Sequence, residues 1–548
     1  MDSLFGEEHA AVLGDGPWWK NGPRRLFASE FGAADRLLPR WIFLRALGLI
    51  YFSAFYSLIF QVRGLIGTEG ILPAREYLQA IAENAPGLAR FWYAPTLYWL
   101  ASSSHALLVF CWIGLIASVL LVFNLWPRAT LVICFLCFLS FVSAAQDFSS
   151  YQSDGMLLEA GFICLFFAPP GLRPGLGAAH PPSRASLFLL QWEWLRIYFE
   201  SGVVKLASGD IQWRNFTAMD EYYQNGPLPT WIGWYIQHFP HNFHAFAVGA
   251  TLVLELGLVW MILLPRRWRI VLFLVVTGWQ IPVILTANYA FLNYLVLSLG
   301  ILLVGDPFLR WLWAQMRKAT PTDLAPTPGE TRKPESRVAL IRHFRAMKLA
   351  VAAVMLTWVF YATAAEMVLM LWRWAPLPTA PIAMLEPFRI ANRYGLFAVM
   401  TRGRYEIEFQ GSNDGQTWTA YPFLYKPQAL NEAPRIYAPY QPRFDWNLWF
   451  ASLDTWRNNE IVPNTEIRLL SNDKDVLRLF RQNPFASSPP RQVRAVLWQY
   501  WFTSMAEKRT TGNWWRRELI GAYAPTLELR ANGTVRVVEM PDAESPQP

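Results

Sequence analysis

The chain is short of charge and of cysteine. Only 16% of its 548 residues are Asp, Glu, Lys or Arg, against about 25% in an ordinary soluble protein. The four cysteines, Cys111, Cys134, Cys137 and Cys164, all lie inside apolar runs. No disulfide therefore supports the polar stretches, which need ordinary cores, and the cysteine count does not identify a compartment. Cys134 and Cys137 form a C-x-x-C inside an apolar helix with no second pair, so they read as small hydrophobes rather than a zinc or redox site. Lysine is scarce too, supplying eight of the 48 basic residues. There is no G-x-S-x-G, no phosphate-binding loop and no dinucleotide fingerprint, so none of those chemistries is indicated. A cleavable secretory signal is not expected either. The first forty residues are polar, and the first apolar run is too long for a signal core and lacks a small-residue cleavage site. That run is expected to double as the insertion signal.

What the chain has instead is hydrophobic length: 53% of residues are hydrophobic and 28 are Trp. A helix crossing about 30 Å of hydrocarbon needs about 20 apolar residues. Good windows fall at 41–61, 105–126, 128–145, 244–264, 268–288 and 346–371, with weaker ones at 155–169, 185–206 and 289–305. The fold class is a polytopic α-helical membrane bundle. Net charge is +8, but the basic residues sit between spans, where they set orientation and call for no nucleic acid. PRRWR at 265–269 carries three Arg, and residues 306–349 carry nine Lys or Arg against four acids, around a Pro/Thr-rich linker. TANY holds no charge between them, and QDFSSYQSD holds two Asp and no base. Basic and non-basic links alternate. The expected topology is about nine spans: a cytoplasmic segment 1–40, a bundle 41–305, a basic cytoplasmic linker 306–345 and a last span 346–371. If 155–169 and 185–206 only dip into the membrane, seven spans remain and the carboxyl terminus stays on the same, non-cytoplasmic side.

Beyond Met370 the pattern changes. RYEIEFQ alternates Tyr405, Ile407 and Phe409 with Glu406, Glu408 and Gln410, and Asn413-Asp414-Gly415 supplies a turn, which together predict a hairpin. TEIRLL is expected to add a strand, and helices are expected around FDWNLWFASLDTW and RQVRAVLWQYWFTSMAEK. Residues 385–530 are thus expected to form a soluble α+β domain with a β-sandwich-like sheet, followed by a flexible tail 531–548.

One apolar window carries charge at membrane depth. Glu193, Arg196 and Glu200 are spaced three and four apart on one helical face, and Lys205 and Asp210 follow. Such residues normally face the bundle interior or water. Two readings stand. The charges form an internal network that locks helices together, or they line a polar chamber on the non-cytoplasmic side in which Lys205 serves as a base or anchor, with Glu200 setting its protonation. Glu159, Glu255 and Glu366 can join either arrangement. His238, His241 and His244 recur every three residues, but Pro240 interrupts them and no carboxylate is interleaved, so no metal site is expected. No cofactor is expected.

Four stretches carry a resemblance: WRNFTAMDEYYQNGPLPTWIGWYIQHFP (213–240), ANRYGLFAVMTRGRYEIEFQGSNDGQTW (391–418), PYQPRFDWNLWFASL (439–453) and NWWRRELIG (513–521). In these, and in their order, the chain resembles the lipase maturation factor family from about Trp18 to Pro525. The resemblance implies a multi-span protein with a lumenal carboxyl-terminal domain; in animals such proteins sit in the endoplasmic reticulum and help dimeric lipases reach their assembled form. The chain ends without a KDEL-type signal, and its Arg-over-Lys bias looks bacterial, which would place the soluble domain in a periplasm. In a secretory pathway, Asn215 and Asn532 would be glycosylation acceptors. A shorter likeness links YFESGVVKLASGDIQW to the vitamin K-dependent γ-carboxylase and related horizontally transferred transmembrane domains, in which the position matching Lys205 is the catalytic base.

The expected function is a non-enzymatic maturation factor whose partners are membrane lipids and secreted client proteins such as lipases. Clients would dock through aromatic and Arg anchors: Arg443, Trp446 and Trp449 in PRFDWNLW, and Trp514, Trp515, Arg516 and Arg517 in NWWRR. The competing reading is that Trp446 and Trp449, three apart, bury one helical face. The alternative function is a membrane enzyme acting on a lipid or lipid-soluble cofactor around Lys205.

Overall fold

A computed structural model describes residues 18–317, 339–530 and 532–541. Residues 1–17 of the amino-terminal segment, 318–338 of the basic linker, and 531 and 542–548 of the tail lie outside the described residues.

All nine apolar windows are helical. They become α1 (Leu37–Ile66), α2 (Ser104–Val122), α3 (Pro127–Val142), α4 (Gln152–Phe167), α5 (Arg184–Ala207), α6 (His241–Leu256), α7 (Arg266–Thr286), α8 (Leu292–Gly300) and, after the amphipathic α9 (Asp306–Arg317), α10 (Ala339–Leu371). A 3-10 turn, Leu258–Leu263, extends α6. By length and composition, five of these helices can cross a membrane: α1, α2, α6 with its extension, α7 and α10. The bent pair of α8 and α9, which meet at 106°, makes a sixth if it counts as one span. Of the others, α3 is apolar but short, and α5 owes its low mean hydropathy to its charges.

Local chemistry sets the ends. Ser103 Oγ accepts from Ala106 N–H (3.2 Å) at the start of α2, and Ser183 Oγ accepts from Ser186 N–H (3.2 Å) at the start of α5, each satisfying an orphan helix donor. The central helix is α1, which packs along α2 and also meets α4 and α8.

Basic links gather at one end of the bundle. Arg40 donates to the carbonyls of Leu176, Gly177 and His180, Arg128 to that of Ala168, and Arg36 to that of Leu302 (3.0 Å). Leu38 N–H donates to Asp306 (3.0 Å) at the same end. The opposite end carries the loop of short helices Ile211–Arg214, Tyr222–Asn225 and Trp231–Gln237, and on it the carboxyl-terminal domain.

That domain is built on one six-stranded antiparallel sheet: β1 (Arg404–Ser412), β2 (Thr419–Ala420), β3 (Gln492–Phe502), β4 (Trp515–Ala522), β5 (Thr526–Leu529) and β6 (Val535–Glu539), in the order β2-β1-β3-β5-β6 with β4 also on β3. β1 and β3 pair from Arg404↔Tyr500 to Ser412↔Gln492. Two helices pack on it: α11 (Arg443–Ala451), wedged between β1 and the bundle, and α12 (Ile461–Leu470) on β3; shorter ones lie at Lys474–Leu477 and Met505–Thr511.

The hairpin turn is formed as the sequence suggests. Asp414 accepts from Gln416 N–H (2.8 Å) and Thr417 N–H (2.7 Å), and these bonds hold its carboxyl below the usual range. Two elements trade identity. TEIRLL belongs to α12, where Val462, Thr465, Glu466, Leu469 and Leu470 are buried at helical spacing and Pro463 is tolerated in the first turn. RQVRAVLWQYWF is strand β3, rich in β-branched and aromatic residues with strands on both sides. Its expected helix is confined to Met505–Thr511, which opens on a capping box of Ser504 and Glu507. The stretch expected as a loose tail contributes β6, paired to β5 from Thr526↔Glu539 to Leu529↔Val535.

Candidate functional site

The charged face of α5 is where the bundle and the carboxyl-terminal chain meet. Glu193, Arg196 and Glu200 are wholly buried on it. They do not pair with one another. Arg196 forms its ion pair with Glu159 of α4 and donates to Asn392 O (2.6 Å). The second Glu159 oxygen accepts from the Tyr394 hydroxyl (2.9 Å) and from Asn392 N–H (3.1 Å). Glu200 accepts from Tyr394 N–H (2.7 Å). The chain around Asn392 and Tyr394 is thus plugged into the bundle. A side chain at Gly155 would bring a Cβ within 2.7 Å of Asn392 Oδ1, so the plug needs glycine there. Among the described residues nothing hydrogen-bonds to either oxygen of Glu193.

One turn on, Lys205 has a different setting. Its ammonium lies 2.9 and 2.8 Å from the two oxygens of Glu255 on α6 and 5.2 Å from the centre of the Trp213 ring. The carboxylate beside Lys205 is Glu255 and not Glu200. Gly202 permits the approach, since a Cβ there would sit 2.9 Å from that of Glu255. The pair lines a mostly apolar cavity of about 280 Å³ between α5, α6, α7 and α8. An aromatic cluster of Tyr222, Tyr289 and Phe397 (centroids 5.0–6.4 Å apart) separates it from a second cavity of about 340 Å³ under α11. Asp210 is a loop pin rather than a chamber residue: it caps Ile211–Arg214 by accepting from Gln212 N–H (3.0 Å) and also accepts from Met400 N–H (2.7 Å).

The residues expected to meet clients divide. Arg443 is fully buried and binds Asp154 of α4 through both terminal guanidinium nitrogens (2.7 and 2.8 Å), donates to Phe148 O (2.7 Å), and its backbone N–H donates to Gln61 Oε1 (2.7 Å). Such fork-to-carboxylate pairing fixes geometry as well as charge. Trp446 packs on Tyr151 (5.0 Å), and Trp449 donates to Asn225 O (3.1 Å). Trp515 is buried beside Phe502, while Trp514 packs on Trp234 (5.1 Å) with Lys508 over its ring. Arg443, Trp446 and Trp449 thus face the bundle, and Trp515 is buried within the domain itself. Arg517 is engaged by Glu408 (3.2 Å) and Tyr500 (3.1 Å). Arg516 is exposed. The histidines separate too: His238 faces the carbonyls of Trp234 and Thr503, His241 faces Asp220 (3.0 Å), and His244 is buried. Among the described residues no group of His, Cys, Asp and Glu could hold a metal.

Sequence reasoning missed Asn288, which accepts from Tyr437 N–H (2.7 Å) and donates to Arg435 O (2.8 Å). It also missed the buried trio Arg404, Glu406 and Lys426, in which Lys426 lies 2.9 Å from Glu406. A buried-looking basic–acidic alternation at the head of β1 was the available signal for the trio. For Asn288 there was none.

The division between bundle and plug has a counterpart in known proteins. Residues 38–311 match the lipase maturation factor transmembrane domain, and residues 390–525 match the lipase maturation factor C-terminal domain. This chain belongs to the lipase maturation factor family. It is 31% identical to lipase maturation factor 1 of Bos taurus over 560 residues, covering 98% of this chain and 97% of that one. Lipase maturation factor 2 of Gallus gallus is also 31% identical, over 90% of this chain and 81% of its own. Human lipase maturation factor 1 is 29% identical over 90% and 88%. No solved structure matches. In this family frame the second matched region opens at Ile390, so the plug that Glu159 and Glu200 grip is the first part of the lipase maturation factor C-terminal domain.

Proposed function

We propose that this chain is a membrane-anchored maturation factor that assists folding or assembly of secreted proteins, lipases among them. One observation carries the proposal beyond family membership: the carboxyl-terminal domain is rigidly oriented on the bundle by the Arg443–Asp154 fork and the Asn392–Tyr394 plug. A domain that receives clients at a membrane surface needs such a fixed attitude, and a tethered domain would not spend so many buried polar contacts on it.

The gathering of the basic links at one end supports nine crossings, with the amino terminus in the cytoplasm and the domain on the opposite side. That side is the periplasm in a bacterium and the endoplasmic reticulum lumen in a eukaryote. The exposed part of the sheet domain, including Arg516, is then the client-facing surface, and membrane lipids contact the exposed apolar faces of α6, α7 and α10. A sandwich partner for the sheet is not needed in this arrangement, because α12 and the α11 wedge cover it.

Deletion of the gene followed by activity profiling of secreted hydrolases tests the reading. Secreted lipases should lose specific activity and native oligomeric state while their synthesis continues. Unchanged specific activity and assembly across the secretome would overturn it.

A further inference from the structure

The cavity beside Lys205 opens sideways. α6 packs on α5 and α7 packs on α8, and beyond the 3-10 turn that joins them the two hardly touch. Within α7, Pro282 removes a backbone donor, which is a standard cause of a bend. The cleft so formed is lined by Phe246 and Ala247 on α6 and by Trp279 and Val283 on α7. Phe246 is 71% exposed and yet also lines the cavity, and Val253, Leu274 and Ile281 on the outer faces of the same helices are exposed. These helices are two of those long and apolar enough to cross a membrane. The mouth of the cleft therefore faces hydrocarbon.

The inner end is polar in a specific way. The Lys205 ammonium is already neutralised by both oxygens of Glu255. Two amides are not so engaged. Asn293, 5% exposed, has no hydrogen bond from any described residue, and Gln280, equally buried, uses only its oxygen, as acceptor for the Tyr198 hydroxyl (3.0 Å). A free amide that faces a mostly apolar space gains when a polar partner arrives. The volume, about 280 Å³, is close to the lower end of small-molecule sites, roughly 300 Å³.

We infer that this cavity binds an uncharged single-chain lipid drawn laterally from the bilayer, its alkyl chain between α6 and α7 and its ester or hydroxyl head on the amides of Asn293 and Gln280. Among the described residues that line the cavity the cation is Lys205, already paired, so an anionic head meets no free cation there. A carboxylate or phosphate would also face Glu255 across the same apolar space.

The test uses the full chain in phosphatidylcholine nanodiscs with a 1-monoacylglycerol bearing a diazirine in its chain, beside the matching fatty acid. After photolysis, mass spectrometry should place saturable labelling on Phe246, Trp279 or Val283, displaced by unlabelled 1-monooleoylglycerol, with the fatty acid labelling about tenfold less. Asn293→Leu and Gln280→Leu should each weaken binding roughly three- to tenfold, as loss of one net hydrogen bond predicts, with the thermal midpoint kept. Ala247→Trp should block the cleft. Displacement in the unaltered protein needs no variant, so a misfolded mutant does not decide the matter. Equal labelling by the fatty acid would overturn the assignment of the head. Non-saturable labelling spread over all the outer faces would overturn the site.

Discussion

The two ends of α5 solve the same problem differently. At Arg196 the ion pair is enclosed: one oxygen of Glu159 meets the Arg196 guanidinium and the other accepts from the Asn392 amide and the Tyr394 hydroxyl. At Lys205, two to three turns later, the pair is closed on itself and fronts a cavity. A sealed network acts as a fastener, and its partners come from another domain. A self-contained pair beside empty space leaves neighbouring polar groups free for something else. The comparison teaches that a charge at membrane depth says nothing of its task until its partner is known.

The sharpest way to break the comparison is to unpair each side. Arg196→Met should leave Glu159 buried without its cation and cost roughly 3–5 kcal/mol, the usual penalty for orphaning a buried charge. It would be read as a large fall in thermal midpoint in detergent, together with easier proteolysis near residue 390. A loss below about 1 kcal/mol would show that the network fastens nothing.

The carboxyl-terminal domain offers an intermediate case with a pH readout. Burial pushes the Asp445 carboxyl up to about 6, against the backbone bonds it accepts from Lys426 and Tyr425. A raised folded value means that the folded protein holds the proton more tightly than the unfolded chain. This contribution therefore favours folding at low pH and is lost as pH rises from about 4 to about 6, by at most about 3 kcal/mol. Asp445→Asn should flatten that part of the stability profile between pH 4 and 7; an unchanged slope would remove Asp445 from the account. Glu466, buried and raised for the same reason, keeps its own share with the same sign.

The smallest effect is expected at the cavity. Lys205→Met orphans Glu255, but beside a space that admits water or a ligand, so roughly 1–2 kcal/mol is expected, within the range for one unpaired polar group. A drop equal to that of Arg196→Met would erase the distinction between the two ends.

Much of the architecture was legible in the sequence because hydrophobic length is a local property. All nine windows are helices, and the Asn413-Asp414-Gly415 turn forms. β3 was misread because it is apolar on both faces, like a buried helix, and only its partners β1 and β4 declare it a strand. The site was half legible. The charges on α5 were visible, but Glu200 is met by a backbone N–H 194 residues away, and no side-chain pattern announces a backbone donor. Trp446 and Trp449 took the burying role that their three-residue spacing also allowed.

The plug has a consequence for how the protein is made. Glu159 and Glu200 are made with α4 and α5, whereas Asn392 and Tyr394 follow them in the chain by 233 and 194 residues. During that interval the early helices lack these partners, and a chain cut short by a premature stop before residue 390 never acquires them. A truncated bundle thus keeps the Arg196–Glu159 pair but leaves Glu200 without the backbone donor it accepts from.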